Sequence, residues 1–187
     1  MLQRDVKERI ILGIDPGTKV MGYGLIKEEG KQLSLISLGI VKLGHLDNHA
    51  LKLKQIFEKT SALITQYMPD CMALEDPFYG KNIQVILKLG RAQGVAMAAA
   101  LSKDIEIAEY SPRKIKQAVT GNGNASKEQV ASMLKSLLKF EESPQFLDAT
   151  DGLAVAVCHA FQGSNTAQKK SYSGWESFIK DNSHRLK

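Results

Sequence analysis

Four acidic residues stand where they could share one piece of chemistry: Asp15, Glu75, Asp148 and Asp151. Asp15 follows the run Ile10-Ile11-Leu12-Gly13-Ile14 and precedes Pro16-Gly17, which reads as the end of a buried strand stopped by a turn. Glu75 closes a second short apolar strand that starts at Cys71. Asp148 and Asp151 are three residues apart in a helical pattern, so both project from one face, about 60° apart around the axis. Four carboxylates on one surface repel each other unless a cation neutralises them, and hard Mg²⁺ prefers carboxylate oxygen and water. Two such ions about 4 Å apart can activate a water and stabilise the leaving oxygen of a phosphodiester. Each acid also has a plainer use. Asp15 suits a turn, Glu75 a solvated strand exit, and the Asp148–Asp151 pair a helix start, where carboxylates meet the positive end of the dipole. The case for chemistry comes from their convergence under one topology.

The elements that would bring them together are legible in order. Residues 10–14, 22–27 and 32–43 read as three strands, with a hairpin turn at Lys27-Glu28-Glu29-Gly30 between the second and third. Ala50, Leu53, Phe57, Ile64 and Met68 keep helical spacing until Pro69-Asp70. The strand ending at Glu75 follows, then an alanine-rich helix over 82–101 and a fifth strand over 104–110. Ser111-Pro112 opens a short helix with Ser as N-cap, Ser126 opens another to about residue 140, and a last helix covers 144–161. A meander followed by crossover helices predicts an α/β fold: a mixed five-stranded sheet with helices on both faces. Right-handed crossovers put strands four and five beside strand one and the meander on its other side, so that Asp15 and Glu75 face each other.

Composition bounds the rest. The chain has 187 residues, 43% of them hydrophobic, which is enough for one core. Its charge is +5, and the segment from Gly163 onward carries +3 of that. The expected division is one domain over 1–162 and a polar, basic tail over 163–187, disordered or docked as one short helix. No apolar stretch is long enough to cross a membrane, and the charged opening MLQRDVKERI has no apolar signal region. Cys71 and Cys158 lie in apolar runs and read as buried reduced thiols. A cytoplasmic protein is expected. The mild basic excess is compatible with a nucleic-acid partner without proving one.

GIDPGTKVMGYGLI, ALEDPFYGKN and DATDGLAVAVCHA resemble segments of the RuvC family of Holliday junction resolvases, and RKIKQAVTGNGNASKEQV resembles it in spacing and character. The likeness runs from Ile10 to about Phe161. GIDPGT alone also resembles phosphate-loop openings of actin-like and sugar-kinase ATPases, which duplicate the domain; this chain has room for one copy. The resemblance implies a ribonuclease H-like fold and a homodimer that nicks two symmetric strands of four-way junction DNA. Cutting would need Mg²⁺, two ions per site with Mn²⁺ as a substitute, and would leave 5′-phosphate and 3′-hydroxyl ends. It implies the RuvA-RuvB branch-migration complex as a partner. Its acidic tetrad falls on Asp15, Glu75, Asp148 and Asp151 as catalytic and metal-binding residues; some relatives have His at the position of Asp148.

The neighbours of the acids fit a nucleic-acid grip. Phe78, Tyr79 and Lys81 follow the strand of Glu75, and aromatics beside a lysine can stack on bases and meet phosphate. Phe78 could equally turn inward as core; the resemblance implies a base-contacting wedge. Arg113, Lys114, Lys116 and Lys127 flank Gly121-Asn122-Gly123-Asn124, where glycine permits close backbone approach. The resemblance singles out Lys116 and Lys127 as DNA-binding. His159 lies eight residues beyond Asp151, about 12 Å along a straight helix, too far to share its ion. The helix over 82–101, with Gly90, Ala92, Gly94 and Ala98, is the expected dimer face. The rival functions are an RNA-processing nuclease of the same fold, a non-catalytic junction-binding module and an ATPase.

Overall fold

The structure, a computed structural model, describes residues 8–76, 82–141 and 146–166. Five strands and five helices follow in the order β1 (Glu8–Asp15), β2 (Val20–Glu29), β3 (Gln32–Lys42), α1 (His49–Tyr67), β4 (Cys71–Glu75), α2 (Ile83–Leu101), β5 (Glu106–Tyr110), α3 (Pro112–Thr120), α4 (Lys127–Leu138) and α5 (Phe146–Thr166). The strands form one sheet in the order β3-β2-β1-β4-β5. β1, β2 and β3 are antiparallel neighbours, while β4 and β5 run parallel to β1, as the element order predicts.

Two cores form because strand side chains alternate. Ile11, Cys71 and Ala73 point to one face, against α3, α4 and α5; Leu12, Ile14, Met72 and Leu74 point to the other, against α1 and α2. β1 and β4, in the middle of the sheet, read as nearly continuous apolar runs because both of their faces are covered. Cys71 and Cys158 are buried and free, as expected. Among the described residues no helix is long and apolar enough to cross a membrane.

Element ends differ from expectation for local reasons. β5 starts at Glu106 and not at 104, because Asp104 (φ 56°) and Ile105 are used to close α2: their N–H groups donate to Leu101 and Ala100. α4 stops at Leu138, where Lys139 takes the left-handed cap conformation. β2 is longer than 22–27, since Val20 and Met21 pair with Lys42 and Val41 of β3, and Glu28 and Glu29 pair with both neighbouring strands. α5 runs on to Thr166, so residue 162, the expected domain boundary, lies inside it. The tail from 167 and the expected start of α5 at Pro144 lie outside the described residues. α2 is half core: Ala92 is buried against the sheet with Ala96, Ala99 and Ala100, which removes it from the expected dimer face, while Gly90, Gly94 and Ala98 are exposed.

Candidate active site

The alternation that builds the cores also aims the acids. Asp15 continues the β1 set that faces α5, and Glu75 continues the matching set on β4. Ile14 pairs with Leu74, so the two carboxylates leave adjacent parallel strand ends. The third acid arrives with α5, which lies unusually close to the sheet. A Cβ on Gly13 would strike the carbonyl oxygen of Gly152 and sit 2.5 Å from the Ala156 nitrogen; one on Gly24 would sit 2.5 Å from Leu153 Cα. A Cβ on Gly152 itself would lie 2.6 Å from Tyr23 Cα. Helix and strand backbones therefore touch, and that contact carries Asp151 to Asp15. These glycines were missed as site-forming residues in the sequence. Their signal was present: G-Y-G inside a strand, and a glycine directly after Asp151 inside a helix.

Asp15, Glu75 and Asp151 line a cavity of about 230 Å³ with Lys116 and Lys127. Pro112, Ile115, Val130 and Ala154 form its apolar wall. Asp148 does not line it; it stands half-exposed at the edge, where Lys127 Nζ donates to Asp148 Oδ1 at 2.9 Å and to Asp151 Oδ2 at 2.7 Å. Lys127 is the first residue of α4, whose start is held by a reciprocal Ser126–Gln129 capping box, and Lys116 comes from α3, capped by Ser111. The loop between these helices is tied by its own side chains: Gln117 Nε2 donates to Gly121 O at 2.6 Å, and Gly123 N donates to Gln117 Oε1 at 3.0 Å. Lys114 lies over the Tyr110 ring, 4.8 Å from its centroid.

The electrostatics show what the cavity lacks. Burial, then the carboxylate of Asp151, pushes Asp15 up to about 6, with Lys127 opposing. Burial, then Asp15 and Asp151, pushes Glu75 up to about 8, against Lys116 and Lys127. Asp151 is also raised by burial, with its bond to Lys127 opposing. Burial works to lower Lys127, but its bonds to Asp151 and Asp148 prevail and raise it. Two lysines therefore do not offset the crowding of buried acids. The donor set is all carboxylate oxygen, partly desolvated and short of positive charge, which fits a hard divalent cation. As the side chains stand, no three His, Cys, Asp or Glu groups among the described residues are set as ligands of one ion, and Lys127 is the cation between two of the acids.

His159 is placed as the helix geometry predicts, away from the acids. Its Nδ1 is 2.8 Å from the Tyr110 hydroxyl and its Nε2 3.3 Å from Cys71 Sγ, a structural setting. Phe78, Tyr79 and Lys81 lie outside the described residues.

Comparison with known proteins follows this geometry. The family described as crossover junction endodeoxyribonuclease RuvC matches residues 11–159. The crossover junction endodeoxyribonuclease RuvC of Cytophaga hutchinsonii is 60% identical over 96% of this chain and 89% of its own length. That of Bacteroides fragilis is 57% identical over 97% and 98%. The structure of Thermus thermophilus RuvC in complex with a Holliday junction substrate superposes with a TM-score of 0.78 at 28% identity, covering 84% of this chain and 96% of that one. The yeast mitochondrial Holliday junction resolvase shares the fold, with a TM-score of 0.64 at 14% identity.

Proposed function

This chain belongs to the RuvC family of crossover junction endodeoxyribonucleases, and from that premise we propose that Asp15, Glu75, Asp148 and Asp151 are its catalytic, metal-binding acids. The protein is a nuclease of the ribonuclease H-like fold that resolves Holliday junctions in recombination and repair. The observation that carries the site assignment is the cavity of buried, cation-poor carboxylates within the matched residues. Family membership supports divalent metal use; Mg²⁺, two ions per site with Mn²⁺ as a substitute, is the finer reading.

Asp15, Glu75 and Asp151 would hold the metal, with Asp148 as the outer ligand once Lys127 turns from it to the DNA. Bound Mg²⁺ supplies charge neutralisation and water activation for phosphodiester hydrolysis, leaving 5′-phosphate and 3′-hydroxyl ends. Lys116, inside the cavity, meets the negative charge that builds on the phosphate. Phe78 is the base-contacting wedge, with Tyr79 and Lys81 beside it on the DNA.

Two symmetric nicks call for two cavities, so the working form is a homodimer. Its face is the outer stripe of α2: Ile83, Leu87, Gly90, Gly94, Ala98 and Leu101 are exposed at helical spacing, and nothing lies over Gly90 or Gly94. The RuvA-RuvB complex is its partner, the cytoplasm its place, and its nuclease domain runs through α5 to Thr166, ahead of the rest of the basic tail. The test is a synthetic mobile four-way junction incubated with Mg²⁺ or EDTA beside a matched structured RNA. Paired symmetric nicks in the junction, only with Mg²⁺, are expected. Preferential RNA cleavage, or tight junction binding with no cutting at any divalent ion, overturns the reading.

A further inference from the structure

The cavity accounts for Lys116 and Lys127 but not for a second group of basic residues on the other side of the sheet. α1 and α2 pack against each other on the face opposite α5. Both leave the same end of the sheet. α1 follows β3, whose Lys42 pairs with Val20, and α2 follows β4, whose last residue is Glu75. The first turns of both helices therefore stand at the end where Asp15 and Glu75 lie, with the sheet between the two groups. Toward this end α1 contributes His49 and Lys52 from its first turn, and α2 contributes Lys88 and Arg91 from its second and third turns, where both act on His49. Lys88 and Arg91 are exposed; His49 and Lys52 are half-buried.

Among the described residues no carboxylate pairs with this charge. Among the described residues, Arg9, Lys27, Lys54 and Lys127 each have a carboxylate partner, and these four have none. The imidazole of His49 is held below its ordinary range by burial and then by Arg91, Lys88 and Lys52, with no carboxylate among the charges acting on it. Its Nε2 is shut from solvent without a hydrogen-bond partner. Cations gathered from two packed helices repel each other and add nothing to folding. The same arrangement becomes favourable when a polyanion lies across it and releases its counterions. The exposed groups are long, flexible and cationic, with no aromatic among them, which suits a phosphate backbone and not base edges.

We propose that Lys52, Lys88 and Arg91, with His49 behind them, bind the phosphodiester backbone of the junction at a point separate from the carboxylate cavity. This rests on junction DNA as the substrate. Because the patch and the cavity lie on opposite faces of one sheet end, the patch holds phosphates other than the one that is cut. It supplies affinity and orientation, and takes no part in the bond breaking.

The test compares wild type with the double variant Lys88→Gln/Arg91→Gln, and with Lys54→Gln/Lys103→Gln as a charge-matched control. All are studied at concentrations where sedimentation gives the same oligomeric state. For junction binding, the double variant should be roughly tenfold weaker, and its plot of log affinity against log salt should be shallower by about 2, one unit for each lost phosphate contact. Its single-turnover cutting rate at saturating protein should match wild type. The control should move neither quantity. An unchanged salt slope in the double variant overturns the proposal. A second readout does not depend on cutting: the His49 imidazole resonance, titrated with a single-stranded oligothymidylate, should shift saturably in wild type and not in the double variant. No shift in wild type also overturns it. A His49 shift in a protein that never cuts the junction would overturn the resolvase reading and leave the phosphate site standing.

Discussion

The two faces of the sheet solve different problems. On the α5 face, backbone meets backbone: Gly13, Gly22, Gly24 and Gly152 let the helix settle directly on β1 and β2. On the α1/α2 face, contact is made by ordinary side chains such as Ile56, Leu63, Ile64 and Ala96, and the outer side of α2 is left apolar and open. The first face sets where one carboxylate stands relative to two others, and a helix lifted by one methyl group would spoil it. The second, on the proposals made above, presents surface to DNA and to a second copy. The difference teaches where this chain keeps its tolerance: backbone-to-backbone contact under the acids admits no added methyl group, whereas Gly90 and Gly94 on the outer side of α2 have open space above them.

The sharpest way to break this contrast is to change the acids without changing the packing. Asp15→Asn or Glu75→Gln should cut the nicking rate by roughly a hundredfold or more, while junction affinity stays the same or rises as repulsion toward phosphate falls. Wild-type rates in either variant, measured on a synthetic junction, would remove that residue from the site.

Packing itself is tested by one substitution made on each face. Gly152→Ala should destabilise the protein by about 1–3 kcal/mol and slow cutting, because its Cβ has only backbone to displace. Gly94→Ala, with open space above it, should stabilise the monomer by up to about 1 kcal/mol and yet weaken self-association. Urea denaturation and sedimentation read the two effects separately. Equal stability changes at both sites would erase the distinction between the faces.

The buried acids also impose a pH dependence on the stability of the fold. Asp15 is raised from 3.8 to about 6 and Glu75 from 4.5 to about 8, so the folded state holds protons that the unfolded state has released. Stability of the metal-free protein should therefore fall as pH rises, through 3.8 to about 6 for Asp15 and through 4.5 to about 8 for Glu75. In EDTA, Tm should decline between pH 5 and 8. Glu75→Gln should flatten the upper part of that decline, and Mg²⁺ should reverse it most at the alkaline end. A Tm in EDTA that rises over this interval would show that Lys116 and Lys127 already balance the site.

The smallest effect sharpens the same comparison with two threonines. Thr60 of α1 is fully buried and its hydroxyl has no partner, so Thr60→Val should stabilise the protein by about 1 kcal/mol. Thr150 of α5 is equally buried but donates to Leu147 O at 2.8 Å, so Thr150→Val should cost about 1 kcal/mol. Thermal melts should move in opposite directions.

What the sequence determined by itself was the element order, the strand order and which acids are the candidates. Strand order followed from the pattern of meander and crossovers, since right-handed crossovers leave few alternatives. The acids were legible because Asp15 and Glu75 each end an apolar run, and because Asp148 and Asp151 keep helical spacing. Only the tertiary structure decided how these groups share one place. Three residues of separation cannot say that Asp151 enters the cavity while Asp148 stays at its edge, because that depends on how α5 is rotated and how closely it lies. Nor can local pattern say that Lys127 spans both acids, since it comes from another helix 21 residues earlier in the chain. The basic group of His49, Lys52, Lys88 and Arg91 is likewise invisible in sequence, where it is four scattered residues. Spacing along a chain sets direction within one element; distance and charge between elements arise only when they pack.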